Sequence, residues 1–477
     1  MILLLLAIGY LPLTCIGALA VRALMGASPE LTRSECALYG AVIGPTMVMD
    51  VVFLLANLGV PIGTGAFLAA IVILLLPLAL LHRKRMRSIA RALATLPAQT
   101  GVRTRNWFFT AHLHPVRIAC LLIGLWIVVK IVAGTTVLLT DPAYNDDVFN
   151  NWNFRAKVLL HEQTLVLDLP GDNRQDIGVS AYPPTVPLLR GYLATVGGGW
   201  NDGVIALTAP LSYLLILGLL YTTLRRSTGT AWALLGLYIG SSLPLLLMHG
   251  ITPYADLFVA LHILVALLPL FHALETTNSA SRSSWLRVGA LGAALLPMTK
   301  NEALLIHLPP ILLLSMGVIL WSVRGKVSDI RSALRSILWY GALLLAVLGP
   351  WLAYKYAYGL AFGNAKEIDT ALAWQEGALR SLFITWVLEA NFLLLPGLLA
   401  ALLWLRQRRG FGSPAMILSL FVLVVTFGLI GIFTLTGLST EALRQTGSAR
   451  GIIQIVPVMV ILATLLLQDW WNSIHAS

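Results

Sequence analysis

Two adjacent aspartates, Asp146 and Asp147, stand in a short polar stretch that reads YNDDVFNNWNFRAK at 144–157. Neighbouring carboxylates repel each other and burial disfavours their charged form, so the pKa of at least one should rise, which suits a general base. A carboxylate pair can also bind a divalent cation through its oxygens. Adjacent residues of a helix point in different directions, so the pair could share one ion only on irregular backbone. We therefore predict one catalytic aspartate, supported by the other.

The same stretch also has a purely structural explanation. An α-helix over 144–160 would carry Asp146, Asn150, Asn153 and Lys157 on one face, and Val148, Trp152, Ala156 and Leu159 on another. Such a helix would lie in the membrane interface with its apolar side down. The positive end of the helix dipole would then stabilise two aspartates in its first turn. Both explanations stay open at the level of sequence.

Two later segments place ionisable groups beside apolar runs. Lys300 and Glu302 follow a short apolar run, so they could reach below the membrane surface into a cavity. Alternatively, Lys300 extends to the interface and Glu302 begins the next helix. Arg450 and Gln454 stand four residues apart on one helical face, before the last apolar run. The arginine could bind a phosphate, or it could extend to the lipid headgroups.

A proline-rich segment, SAYPPTVPLLRGY at 180–192, follows the acidic stretch. Pro183 and Pro184 cannot donate backbone hydrogen bonds, so the segment predicts an extended lead into a short helix. A rigid joint of this kind needs no function of its own.

Apolar runs are the elements that must position these groups. Of the 477 residues, 58% are hydrophobic and only 11% are charged, and the mean hydropathy is +0.83. These values lie far outside the range of soluble domains and predict an all-α polytopic membrane protein of about 13 spans. The predicted spans are 3–24, 36–58, 62–82, 115–138, 203–224, 230–248, 254–275, 286–299, 303–322, 334–352, 380–404, 413–436 and 451–468.

The basic residues predict the orientation and exclude one class of partner. The net charge of +11 comes from cations in short loops, above all at 82–105, which should therefore be cytoplasmic. Counting spans from that loop places the other basic clusters on the same side, the N-terminus outside, the C-terminus inside and the long loop 139–202 outside. Nucleic acid is not an expected partner, because no basic patch is interleaved with aromatic residues on a soluble domain. Membrane lipids are expected partners.

Taken together and in order, these segments resemble the GT-C superfamily of polytopic glycosyltransferases, in particular its aminoarabinose transferase and protein O-mannosyltransferase branch. The likeness covers about 115–470: an acidic amphipathic helix in an outside loop, a Tyr-Pro-Pro helix, a Thr-Lys-x-Glu-type turn after a short span, and an arginine before a last helix that contains proline. It implies a GT-C-like fold with amphipathic juxtamembrane helices in loop 139–202. The family's acidic loop usually follows its first span, whereas here three spans precede the span that leads into this loop. We therefore interpret 1–82 as an N-terminal three-helix addition, 83–114 as a basic cytoplasmic loop and 115–477 as the catalytic membrane domain.

The resemblance also implies a reaction at the cell membrane. Family members transfer a sugar from a polyprenyl-phosphate donor to an acceptor on the outer face, by an inverting displacement with an aspartate as general base. The acceptor is a lipid, a glycan or a protein. On this chain Asp146 or Asp147 resembles the base, and Lys300 and Arg450 resemble the donor-phosphate contacts. The predicted sugar and acceptor contacts are Asn150, Trp152, Arg155, Lys157, Tyr182 and Glu302.

The same resemblance favours no cofactor and no catalytic metal. An aspartate pair could hold Mg²⁺ or Mn²⁺, as in the oligosaccharyltransferase branch, but the branch that this chain resembles does not depend on a metal in that way. The competing class of protein is a transporter or flippase of lipid-linked glycans. Transporters often contain inverted repeats with broken helices. The sequence shows no convincing repeat, and its polar residues gather in the outer loop, which favours an enzyme.

If one aspartate is the base, replacing the two aspartates separately should have unequal effects. We expect either Asp146→Asn or Asp147→Asn to slow sugar transfer by about 10²–10⁴-fold, the usual loss for a general base, and the other variant to slow it less. The measurement is in vitro transfer from a polyprenyl-phosphate sugar. Wild-type rates in both variants would contradict the assignment.

Overall fold

A computed structural model describes residues 2–26, 30–83, 115–140, 147–167, 180–323, 327–363, 372–407 and 414–475. Most of the basic loop at 83–114 lies outside these ranges, as does Asp146. The α-helices are α1 (Ile2–Met25), α2 (Arg33–Asn57), α3 (Thr64–Leu81), α4 (Pro115–Thr140), α5 (Phe154–Glu162), α6 (Thr185–Val196), α7 (Asp202–Ala206), α8 (Thr208–Thr228), α9 (Thr230–Ser242), α10 (Pro244–Gly250), α11 (Asp256–Glu275), α12 (Ser279–Leu295), α13 (Leu308–Ser322), α14 (Val327–Ala357), α15 (Ala378–Phe383), α16 (Leu395–Gln407), α17 (Ala415–Leu435), α18 (Ser439–Leu443), α19 (Gly447–Ile453) and α20 (Val456–His475).

The described residues form a helical membrane protein, as the composition predicts. Nine of their helices are long and apolar enough to cross a membrane, and two bent helix pairs raise that number to as many as eleven. Each of the predicted spans coincides with one helix or with two consecutive ones. The differences are local: α12 is shorter than a typical span, and the predicted span 380–404 is divided into Ala378–Leu388 and Leu395–Arg406.

Helices α1 and α2 pack with their backbones in close contact. Gly40 and Gly44 form a GxxxG pattern on α2, and they face Gly17 and the backbone of Leu13 on α1. Small residues at this spacing let membrane helices approach closely, since a side chain would hold the backbones apart. Two hydrogen bonds join the first half of α1 and the residues just before α3 to later segments of the chain. The Tyr192 hydroxyl donates to the Gly9 carbonyl at 2.8 Å, and the Ile62 amide donates to the carbonyl of Gln163 at 2.7 Å.

The basic clusters that the structure describes lie together at one end of the helices, where α8 and α11 finish and α2 begins. Arg226 pairs with Glu35 at 2.8 Å, and Arg282 donates to the carbonyl of Thr276 at the end of α11. Arg406 pairs with Asp469 near the end of α20. This shared end is what the loop charges predict. Its assignment to the cytoplasmic face of a membrane stays a prediction.

Four breaks in the helices carry polar groups into the interior of the protein. The α9–α10 pair bends by 73° at Pro244, and the α19–α20 pair bends by 52° just before Pro457. A proline ring fits the first turn of a helix but cannot continue the preceding one, which explains both bends. Two further breaks are the π-helical segments Asp147–Asn153 and Ala303–His307, and a third π-helical segment, Ile384–Leu388, lies where the predicted span 380–404 is divided. Each break exposes residues that a continuous helix would pack away.

Adding one methyl group at the α1–α2 contact should destabilise the protein. A Cβ at residue 44 would overlap the carbonyl oxygen of Leu13, so Gly44→Ala must push the helices apart, at a cost of about 1–3 kcal/mol. Gly428→Ala in α17 is the matched control, because nothing lies within 4 Å of its added Cβ. Thermal unfolding of the two purified variants should show a lower midpoint for Gly44→Ala alone. Equal midpoints would contradict the close contact.

Candidate active site

Asp256 is the fully buried centre of the site. It is the first residue of α11, where the positive end of the helix dipole favours an anion. Its Oδ1 accepts hydrogen bonds from Lys300 Nζ and Gln454 Nε2, each at 3.2 Å. Its Oδ2 accepts from the guanidinium of Arg450 at 3.0 Å and lies 3.6 Å from Nδ1 of His249. One carboxylate therefore gathers groups from three other segments of the chain.

Arg450 connects this buried carboxylate to the predicted catalytic one. It stands on α19, and its Nη1 donates to Oδ2 of Asp147 while Nε and Nη2 bind Asp256. Its guanidinium also lies over the ring of Tyr254, with 4.7 Å to the ring centroid. The arginine therefore points into the protein and does not extend to lipid headgroups, which was the alternative at the level of sequence.

Lys300 and Glu302 lie on the turn that separates α12 from the next helix. Pro297 in the short 3₁₀ segment Leu296–Met298 ends α12. Lys300 is buried and pairs at 3.2 Å with both Asp256 and Glu302. Burial alone would lower the pKa of Lys300, but these two carboxylates outweigh it, so the pKa lies above its ordinary value. The lysine is thus a permanent cation at this depth, and it does not extend to the interface.

Tyr182, from the proline-rich segment, covers one side of the site. Its hydroxyl donates to Glu302 Oε1 at 3.2 Å, and its ring stacks on that of Trp152 with 5.5 Å between centroids. Burial, with the nearby charge of Glu302, raises the pKa of Tyr182 well above its ordinary value. The phenol therefore stays neutral and serves as a hydrogen-bond donor.

The acidic stretch presents Asp147 to the site through a π-helical turn. The segment Asp147–Asn153 is π-helical and is followed by α5, whereas the sequence predicts one α-helix over 144–160. The apolar face of that prediction is confirmed, because Val148, Trp152, Ala156 and Leu159 are all buried. The turns of a π-helix are wider, with i→i+5 hydrogen bonds, so Asp147 can share a side with Asn151 and Trp152. All three line the cavity described next.

These groups surround a cavity of about 470 Å³ that is open on one side. Its polar half is lined by Asp147, Asn151, Tyr182, Asp256, Lys300, Glu302, His307, Glu441, Arg450 and Gln454. Its apolar half comes mainly from α17, through Leu429, Ile432 and Phe433. A ligand that fits this space has a polar part next to the charged cluster and an apolar part along a membrane-spanning helix.

His307 and Gln454 extend the charged cluster along the cavity wall. His307 Nε2 lies 2.7 Å from Oε1 of Gln454, which can only accept, so a singly protonated imidazole carries its proton on Nε2. Its Nδ1 is then a buried acceptor without a partner among the residues that the structure describes. Neither residue was predicted as a ligand contact, and neither was Asp256. An aspartate at the start of an apolar helix has the same appearance in the sequence as an ordinary helix cap.

Three buried cations hold the backbone around the cavity. Arg155 donates to the carbonyls of Tyr182 and Ser180 at 2.9 and 3.2 Å, and Arg190 donates to the Asn153 side chain and to the carbonyl of Pro253. Lys355 donates to the carbonyls of Ala181 and Ala361, each at 2.7 Å. Burial lowers the pKa of Arg155 to about 10, which leaves it charged at neutral pH. These cations fix the loops that carry Asp147, Tyr182 and Asp256.

Three of the predicted ligand contacts do not line the cavity. Arg155 reaches backbone carbonyls beneath the Tyr182 loop, away from the cavity lining. Lys157 is exposed and lies over the ring of Trp200, with 4.8 Å to the centroid. Asn150 is exposed, and its neighbour Asn151 lines the cavity in its place. The physical reason is the π-turn, which rotates the polar face away from the α-helical register. Trp152, Tyr182 and Glu302 do line the cavity.

The carboxylates of the site are poor candidates for a shared metal. Oxygens of Asp256 and Asp147 are engaged by the cations Lys300 and Arg450, and Glu302 is paired with Lys300. Within the described ranges, no three His, Cys, Asp or Glu side chains lie close enough together to hold an ion. A divalent cation would therefore have to displace existing ion pairs.

Comparisons with known proteins bear on the fold. No protein-family model matches the sequence, and no curated protein matches it. Among solved structures, the chain is similar to the crystal structure of ArnT from Cupriavidus metallidurans in the apo state, with a TM-score of 0.51 at 16% identity. The match covers 75% of this chain but only 63% of that one, so less than two thirds of ArnT is represented. It confirms the expected polytopic helical fold, which this chain shares with ArnT over the matched part.

Removing the central carboxylate should destabilise the protein far more than removing an exposed one. Asp256→Asn leaves Lys300 and Arg450 buried without their shared anion, and breaking a buried pair typically costs about 3–5 kcal/mol. Asp469→Asn is the matched control, because its partner is also an arginine but its side chain is 54% exposed, and such pairs contribute about 0–1 kcal/mol. Thermal unfolding should separate the two variants. Similar midpoints would show that Asp256 does not hold the cluster together.

Proposed function

We propose that this protein is an integral membrane glycosyltransferase that uses a polyprenyl-phosphate sugar as donor. The observation that carries the proposal is the meeting of Asp147, Lys300 and Arg450 at one cavity with an apolar wall. These residues come from three distant parts of the sequence. The GT-C-like fold supports it further, since ArnT is an aminoarabinose transferase with that fold. The active site faces the non-cytoplasmic side in this proposal.

The donor would bind with its phosphate at the two cations and its chain along α17. Lys300 supplies a point charge, and the planar guanidinium of Arg450 can bind two phosphate oxygens at once. Ile432 and Phe433 offer an apolar path toward the lipid. The sugar would then lie near Trp152 and Tyr182, whose stacked rings suit the face of a pyranose or furanose. His307 Nδ1 and Glu302 Oε2 would accept hydrogen bonds from hydroxyl groups of the substrates.

In the reaction, Asp147 takes the proton from the acceptor hydroxyl. The hydroxyl oxygen forms a bond to the anomeric carbon while the bond from that carbon to the phosphate oxygen breaks, which inverts the configuration. Negative charge grows on the leaving polyprenyl phosphate, and the two cations stabilise it in the transition state. The leaving group is already weakly basic, so one carboxylate suffices and a second acid is not required. The mechanism needs no catalytic metal.

Arg450 gives this mechanism an ordering of steps. In the structure its guanidinium is shared between Asp147 and Asp256. A donor phosphate competes with Asp147 for the same hydrogen-bond donors, because both are anions. Phosphate binding would therefore release Asp147 from the arginine and leave its carboxylate available to the acceptor. Asp256 stays in place and keeps the two cations together throughout.

A second candidate function is transport of a lipid-linked glycan. The observation that favours it is the two bent helix pairs beside a charged cluster, since broken helices at a binding site are common in transporters. The two functions differ in their products. A transferase releases free polyprenyl phosphate and forms a new glycosidic bond, whereas a transporter returns the lipid-linked glycan unchanged.

The decisive experiment supplies the purified protein with a panel of radiolabelled polyprenyl-phosphate sugars in lipid vesicles. Release of polyprenyl phosphate with transfer of label to an acceptor supports the transferase. Movement of intact labelled donor between leaflets, without cleavage, supports the transporter and overturns the proposal. EDTA should leave the rate of transfer unchanged, and a rate that disappears with EDTA and returns with Mn²⁺ would refute the metal-free mechanism.

Asp147→Asn should lose transfer activity without losing the fold. Its side chain is 38% exposed, so the substitution leaves a partly solvated site, and the rate should fall by about 10²–10⁴-fold for loss of a general base. Glu162→Gln is the matched control, because Glu162 is an exposed acid on the following helix α5. Transfer rates and thermal midpoints should be measured on both variants. An active Asp147→Asn protein would refute the role of this residue.

A further inference from the structure

A second cavity lies at the opposite end of the helices from the candidate active site. It has a volume of about 770 Å³ and is more open than the first. The helix α3 runs from one region to the other. It begins just after Ile62, whose amide donates a hydrogen bond to the carbonyl of Gln163, at the end of the segment that carries Asp147. Its last residues, Leu80 and Leu81, line the second cavity. Eighteen residues of helix span about 27 Å, roughly the thickness of the hydrocarbon core. The second cavity is therefore at the level of the other membrane surface.

Its lining is basic. Arg22 comes from α1, His82 and Arg83 follow directly after α3, and Arg287 comes from α12. Among the lining residues that the structure describes there is no aspartate and no glutamate. Cations gathered in this way repel one another unless an anion joins them, and the described residues of this lining provide none. We call these four residues, with the groove that they line, the basic pocket.

Arginines at this end of the protein have different kinds of partner. Arg226 has Glu35 at 2.8 Å and Arg406 has Asp469, whereas Arg282 donates to the backbone carbonyls of Ala273 and Thr276. In the basic pocket, Arg287 donates to the carbonyl of Leu24 at 2.7 Å and to Ser284 Oγ at 2.9 Å, two neutral acceptors. The Nε of Arg22 is buried and has no partner among the described residues. Three arginines thus share one cavity to which the described residues contribute no carboxylate, and an anion from outside the chain would be stabilised there.

The walls of the basic pocket indicate what kind of anion it is. Leu24, Leu80 and Leu81 line it, and Trp339 of α14 stands at its side, an amphipathic residue of the type that membrane interfaces favour. Beyond it, α3 and α14 present exposed apolar side chains such as Leu76 and Leu338 to the membrane. A ligand with an anionic head and acyl chains matches both parts, whereas a soluble anion would use only the first.

We propose that the basic pocket binds the phosphate of an anionic glycerophospholipid, with its acyl chains along α3 and α14. Basic pockets between helices at a membrane surface recognise such headgroups through charge, and each lysine or arginine strengthens binding by about fivefold. The bound lipid would join the N-terminal helices α1 and α3 to α12 and α14 of the remaining protein. The site is separate from the proposed sugar transfer and does not depend on it.

Binding is measured by native mass spectrometry of the full chain in detergent, titrated with phosphatidylglycerol or with phosphatidylcholine. The expected result is preferential binding of phosphatidylglycerol. Arg22→Gln combined with Arg83→Gln should weaken that binding by about thirtyfold, the effect of two charges. Arg406→Gln is the matched control, because it removes one basic charge at the same end but outside the basic pocket, and it should bind like the wild type. Inorganic phosphate should not compete.

Three results would overturn the proposal. The first is equal binding of the two lipids, and the second is an unchanged preference in the double variant. The third is displacement of the lipid by inorganic phosphate, which would identify a soluble anion as the ligand. If the double variant does not fold, Arg83→Gln alone serves, because Arg83 is exposed just after α3 and its loss should still weaken binding about fivefold. Full retention of binding in that variant counts against the proposal equally.

Discussion

The buried carboxylate of Asp256 is the constraint on which the rest of the site depends. An isolated charge at this depth is strongly unfavourable, and it is tolerated because Lys300, Arg450 and Gln454 all bind it. To bring those groups to one point, α12 must end before Lys300, and the last span must bend between Arg450 and its continuation. The helix breaks that look like irregularities are therefore requirements of a single ion cluster.

The loops that meet at this cluster run through a region where unsatisfied backbone groups are costly. A carbonyl group in hydrocarbon has no water to bind, so irregular segments at that depth need donors from the protein. Arg155, Arg190 and Lys355 supply them to the carbonyls of residues 180–182, 253 and 361. These cations are therefore structural. Their N–H groups satisfy the carbonyls of the non-helical segments beside the cavity.

Much of the fold was readable from the sequence, because hydropathy alone separates membrane helices from loops. The meeting of Asp147, Lys300 and Arg450 at one cavity was implied by the family resemblance, and neither periodicity nor spacing predicts it. Asp256 escaped notice because a helix-capping aspartate and a buried ion-pair partner look the same in one dimension. The π-turn could not be predicted for another reason: tertiary packing decides between the α and π registers, and no residue of 147–153 specifies one of them. That turn explains why Asn151 replaces Asn150 at the cavity and why Arg155 points beneath a loop.

The grouping of cations at one end of the helices has a consequence for the life of the protein after insertion. Turning the molecule over would carry Arg22, Arg83 and Arg287 through the hydrocarbon core at once, at a total of roughly 10 kcal/mol on insertion scales. A lipid headgroup bound as proposed would add to this cost. The three arginines of the basic pocket therefore oppose reorientation together, because they cannot cross the core one at a time.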